Sequence, residues 1–274
     1  MAENVTVFIV EGEARDLRFI TQMSECFFQG KYKQCVLFVP AKMNLYMLYN
    51  TLKQDEFETD LVELLRDKDP SCAKRLEGIE RDDISDVYLF FDYDAHQNNL
   101  LGTMEPDQAL EEMLEVFDNE TENGKLYLSY PMVEALYDCK GTCCQTLTNC
   151  FVPVSKFGNY KTDAGQKNSL SGHTLKIEEW RAILGIFGLR ISCLFDKPID
   201  FKTYRTITPM SVLRQQEKLM DENGNRVFVL SAFPEFLYDY FPVTFWKTFN
   251  ARRNFKYKNC PKMEGLSIHM SGVK

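Results

Sequence analysis

Long apolar runs are missing from this 274-residue chain. No window approaches the roughly 18 consecutive apolar residues of a membrane-spanning helix, so no such helix is expected. The start of the sequence lacks a basic cluster ahead of an apolar stretch and a small-residue cleavage site, which argues against a secretory signal. Paired cysteine spacings are also missing. Nine cysteines are an odd number at irregular intervals, with Cys143 and Cys144 adjacent. Reduced thiols in a cytoplasm are expected, not a disulfide framework. Histidine is scarce, with three in the chain. No G-x-x-x-x-G-K-[ST] loop occurs, so any ATPase activity has to come from another polypeptide. Internal repeats and low-complexity tracts are absent. The remaining composition, 26% charged and 45% apolar, is that of an ordinary globular protein and excludes a disordered tail, a collagen-like chain and a coiled-coil rod.

Charge is present but unevenly placed. Residues 1–139 carry a net −17 and residues 140–274 a net +9, for −8 overall. An acidic first half suits carboxylates that bind a cation, and a basic second half suits a polyanion such as nucleic acid. Undirected drift of surface charge accounts for the same numbers equally well.

The apolar runs that do occur are short. Val5 to Val10, Cys35 to Val39, Val87 to Phe91 and Leu126 to Tyr130 have the length and β-branched or aromatic content of buried strands. Between them, Leu17, Ile20, Met23 and Phe27 recur at helical spacing, as do the leucines from Leu45 to Leu64. Pro106 marks the first turn of another helix, running to about Asp118. Strands alternating with helices predict a parallel sheet flanked by helices over residues 1–138. Residues 139–174 read as a long loop or insertion. Helices are expected near 176–187 and 209–221, within a basic, mainly helical region spanning 139–274. The aromatic-rich stretch 235–249 reads as core.

Right-handed crossovers place the strand C-termini on one edge, where ligand chemistry gathers in open α/β sheets. Glu11 ends the first strand, and Asp92 and Asp94 end the third. On an extended strand, residues two apart share a face. Carboxylates held together repel unless a cation or proton neutralises them, and Mg²⁺ or Mn²⁺ is the natural hard partner. Each motif is common by itself. The order strand–Glu–Gly–helix, strand, helix, strand–Asp-x-Asp is more specific, and it resembles the Toprim domain shared by topoisomerases, bacterial primases and several nucleases. The family has a glutamate after its first strand and an Asp-x-Asp after its third, matched here by Glu11, Asp92 and Asp94 over about residues 5–135. It often carries an acid four positions after the first glutamate, where this chain has Arg15. Glu134, just past the fourth strand, is a candidate further metal ligand or a helix-dipole acid.

The chain leaves little length for a topoisomerase gate or a primase zinc module. It resembles the small nucleases of the overcoming-lysogenisation-defect type and the stand-alone Toprim effectors of PARIS-like anti-phage systems. That resemblance implies metal-dependent cleavage of DNA or RNA, such as tRNA, under control of a separate ABC-type ATPase subunit, with a homodimer as one assembly. Lys156 and Lys161, interleaved with Phe157 and Tyr160, are candidate phosphate contacts, or simply a soluble loop. His96 is a candidate base or a solvated loop residue. Cys139, Cys143, Cys144 and Cys150 cluster without a C-x-x-C pair, which weakens a zinc reading. Two rivals stand beside the nuclease. One is a haloacid-dehalogenase-type phosphatase with Asp92 as nucleophile, and the other is a non-catalytic subunit of a defence complex.

Overall fold

In the computed structural model, residues 5–28, 35–93, 100, 105–138, 150–167, 174–197, 199–222 and 225–242 are described. Asp94, His96, Cys139, Cys143, Cys144 and the basic tail lie outside them.

The first half is a βα-alternating sheet. Strands β1 (Val5–Val10), β2 (Cys35–Pro40), β3 (Ile84–Asp92), β4 (Asp118–Asn119) and β5 (Gly124–Ser129) are arranged in the order β2-β1-β3-β5-β4. The β1–β2, β1–β3 and β3–β5 pairs are parallel, and the two-residue β4 adds antiparallel to β5. The expected α/β sheet with flanking helices is therefore present. Buried on both faces, β1 has no exposed position, the signature of an interior parallel strand.

Helix α1 (Arg15–Phe27) joins β1 to β2. Helices α2 (Leu45–Lys53), α3 (Leu61–Lys68) and α4 (Pro70–Arg75) lie between β2 and β3, and α5 (Pro106–Val116) precedes β4. The helically spaced leucines from Leu45 to Leu64 fall on two helices, α2 and α3, separated where Glu56 and Phe57 take left-handed φ values of 56° and 64°. Each new helix then starts on a polar cap. The Asn44 side chain accepts from Met47 N–H, and Asp60 accepts from the Val62 and Glu63 N–H groups, donors that a helix start otherwise leaves unpaired.

Beyond residue 138 come β6 (Phe151–Pro153), α7 (Phe157–Lys167), α8 (Ile177–Leu194), α9 (Phe201–Tyr204), α10 (Pro209–Glu222), β7 (Arg226–Phe228) and α11 (Ala232–Tyr240), after the short α6 (Ala135–Asp138). The expectation of a loop across 139–174 is corrected by β6 and α7. Helix α8 also runs seven residues past the predicted end at 187.

The hydrophobic core continues across residue 138. Helix α11 lays Phe236, fully buried, on the sheet, with its ring 4.8 Å from Tyr88, 5.4 Å from Phe8 and Phe90, and 5.8 Å from Tyr127. Phe233 stacks on Phe90 at 5.1 Å and meets Phe19 of α1 edge-on at 6.0 Å. Thus α1 and α11 share one sheet face, and aromatic pairs add directional preference to their apolar burial.

Candidate functional site

The strand order reverses at β1. The chain leaves β1 for β2 on one side and returns to β3 on the other. Such a switch point opens a crevice beyond the strand C-termini. Glu11 follows β1 and Asp92 ends β3, so both stand at this crevice.

Backbone geometry fixes Glu11 from both sides. Its N–H donates to Phe90 O at 3.1 Å, and its carbonyl accepts from Lys42 N–H at 3.0 Å. Its carboxylate Oε2 accepts from Asp92 N–H at 3.1 Å. The two acidic residues are therefore joined directly, although distant in sequence. Asp92 pairs in register with Ser129 of β5 and lies two and four residues after Phe90 and Tyr88, on the sheet face that α11 covers.

A cavity of about 290 Å³ opens there, lined by Glu11, Gly12, Asp92, Glu134 and Lys161 among others. Two further liners, Arg15 and Asp16, open helix α1. Glu134 is 2% exposed and forms an ion pair with Arg15 Nη1. Burial pushes the Asp16 carboxyl up to about 6, moderated by its own N–H, Arg15, Lys161 and the Gly12 N–H. A side chain at Gly12 would put its Cβ 2.7 Å from Asp16 Oδ2, so the missing Cβ leaves room for that carboxylate.

The second half of the chain builds the other wall. Tyr130 exchanges backbone hydrogen bonds with Leu230, at 2.7 and 3.0 Å, which fixes the segment leading to Glu134. Buried Arg190 donates from Nη1 to Val229 O at 2.9 Å and from Nη2 to Asp138 O at 2.8 Å. One guanidinium thus ties the end of α6 to the strand beside it. Gln216 completes the frame with paired bonds to Phe228 O and N–H at 2.7 and 2.9 Å. On α7, Phe157 and Tyr160 are buried and the Tyr160 hydroxyl donates to Asp138 Oδ2 at 2.5 Å. Lys161 follows on the exposed side, at the cavity.

Of the sequence-predicted residues, Glu11, Asp92, Glu134 and Lys161 come together at one cavity. Lys156 is exposed and is not among its liners. Asp94 lies outside the described residues, as do three of the four clustered cysteines, while Cys150 is buried. Arg15 and Asp16 read in the sequence as charges opening a helix, and the cavity gives them a second role. No signal short of the fold marks the meeting of Arg15 with Glu134, since their spacing matches no local periodicity.

The donor chemistry fits a hard divalent cation, because Glu11 and Asp92 offer carboxylate oxygens at the sheet edge. Among the described residues, no three His, Cys, Asp or Glu side chains form a group that could hold a metal ion. Among them, too, no helix is long and apolar enough to cross a membrane. No family model, curated protein or solved structure matches the chain.

Proposed function

We propose that the chain is a metal-dependent phosphodiesterase that cleaves nucleic acid, with Toprim-like use of Glu11 and Asp92, joined by Asp94. One observation carries the reading. The Glu11 carboxylate is hydrogen-bonded to the Asp92 backbone at the switch point of a parallel sheet, facing a cavity that also receives Lys161.

In this reading Glu11 and Asp92 supply hard oxygen ligands to Mg²⁺ or Mn²⁺. When bound, such a cation polarises a phosphoryl oxygen and acidifies water. The chain's own groups do the rest. Glu11, held in place by the Asp92 N–H, orients the attacking water. Lys161 balances negative charge on the phosphate. The helix α1 N-terminus adds a favourable field for that anion.

DNA and RNA, including tRNA, are the substrate classes, and control by a separate ABC-type ATPase fits a chain with no P-loop of its own. Anti-phage defence is the setting that the resemblance suggests.

The test is cleavage of DNA and of tRNA with Mg²⁺ by the parent, Glu11→Ala and Asp92→Ala proteins. Cleavage by the parent and loss in both variants is expected. Equal cleavage by all three overturns the site. Hydrolysis of p-nitrophenyl phosphate in place of nucleic acid favours a phosphatase.

A further inference from the structure

Arg15 and Glu134 form an ion pair whose two halves stand in different surroundings. Glu134 is 2% exposed, whereas the Arg15 side chain is 32% exposed and lines the cavity. A carboxylate this deeply buried needs a counter-charge. A guanidinium carries five N–H donors in a planar fork, and a single carboxylate oxygen does not use them all. Among the described residues, the Arg15 side chain has Glu134 as its ion-pair partner and Asp16 as a charged neighbour. It also lines the cavity, so its guanidinium stands within reach of a ligand bound there.

The rest of the cavity is arranged around this cation. Glu11 and Asp92 stand at the strand ends, Arg15 at the start of α1, and Lys161 on α7. Lys161 lines the same cavity, and its charge is felt at Asp16. Acidic and cationic groups thus share the cavity, an arrangement that suits a ligand presenting oxyanions.

We propose that Arg15 binds a phosphate oxyanion of the substrate in this cavity and that Glu134 is the positioning residue that aims its guanidinium. This assigns Glu134 to Arg15 and not to a metal. The identity of the phosphate as part of a nucleic acid rests on the function proposed above. Oxyanion binding by Arg15 does not depend on hydrolysis. A guanidinium braced on one edge by a carboxylate loses less rotamer freedom when it meets a phosphate, and its fork matches two phosphate oxygens at once.

The experiment measures binding in EDTA, where no cleavage occurs, using inorganic phosphate and a short fluorescein-labelled single-stranded oligonucleotide. The proteins are the parent, Arg15→Gln, Arg15→Lys, Glu134→Gln and the double Arg15→Gln/Glu134→Gln. The double variant replaces the ion pair by a neutral amide pair and so keeps no buried lone charge. Arg15→Gln is expected to weaken oligonucleotide binding on the order of tenfold, the size of one lost charge-assisted contact. Glu134→Gln should weaken it severalfold and Arg15→Lys partly. The double variant should match Arg15→Gln, because Glu134 acts through Arg15. Mn²⁺ affinity, read by electron paramagnetic resonance, should be the same in the parent and in Glu134→Gln.

A folded double variant that binds both probes as tightly as the parent refutes the proposal. Loss of Mn²⁺ affinity in Glu134→Gln refutes it as well and makes Glu134 a metal ligand. If the parent binds phosphate through Arg15 yet cleaves nothing with Mg²⁺, the nuclease reading fails and this one stands.

Discussion

Glu235 offers a quantitative test of the packing between the two halves of the chain. It lies in the first turn of α11 and is 5% exposed. Burial, with the Asp239 carboxylate adding to it and Lys125 opposing, pushes its carboxyl from 4.5 up to about 8. The folded protein therefore holds this acid protonated at neutral pH, while the unfolded chain ionises it. A raised folded-state value gives stability that is fully present below about pH 4.5 and is lost as pH rises through about 8. At about 1.36 kcal/mol per pH unit, the gap amounts to roughly 5 kcal/mol. Glu235→Gln keeps the shape and removes the titration. Asp16 is also raised, to about 6, so its contribution has the same sign but is nearly exhausted above that pH. The window between pH 6.5 and 8 thus isolates Glu235. Urea denaturation at several pH values there should show the parent losing on the order of 1.4 kcal/mol per pH unit relative to the variant. Parallel profiles for the two proteins would mean that Glu235 is ionised in the folded protein, in contact with solvent or a cation, and that α11 does not seal the sheet as described.

Other consequences are simpler to measure. Phe236→Ala removes a ring packed against six others and should cost about 3–5 kcal/mol by chemical denaturation. A fragment of residues 1–138 should fail to give a cooperative unfolding transition, since it lacks α11 over its aromatic face. Asp60→Ala removes the cap of α3 and the partner of Arg81 Nε at 2.7 Å, and a loss of about 1–2 kcal/mol is expected in the same assay. Gly124→Ala forces a Cβ to 2.7 Å from Leu89 Cδ1 at a φ of 122°, so its melting temperature should fall by several degrees.

The strands of the parallel sheet were legible because each is a short apolar run closed by a breaker or an acid, as at Glu11 and Pro40. The meeting of Glu11 with Asp92 followed from topology alone, because parallel strands put their ends on one edge. Helix α7 was hidden. Its sequence holds two glycines and an asparagine and has weak amphipathic character, and tertiary anchors at Phe157 and Tyr160 override that local preference. The aromatic run near residue 236 announced a core without saying whose, and the structure assigns it to the sheet of the first half. Arg15 with Glu134, and Arg190 with Val229 and Asp138, are pairings between distant segments, which no periodicity encodes.

The segment around Leu230 that clips onto Tyr130 is made late, long after the strands it steadies. At about 5–20 residues per second, the ribosome needs about 5–20 seconds to travel the 100 residues from Tyr130 to Leu230. Until then a nascent chain carries its carboxylates on an unfinished rim. A chain cut between Tyr130 and Leu230 would therefore hold Glu11 and Asp92 on a sheet edge whose second wall is missing.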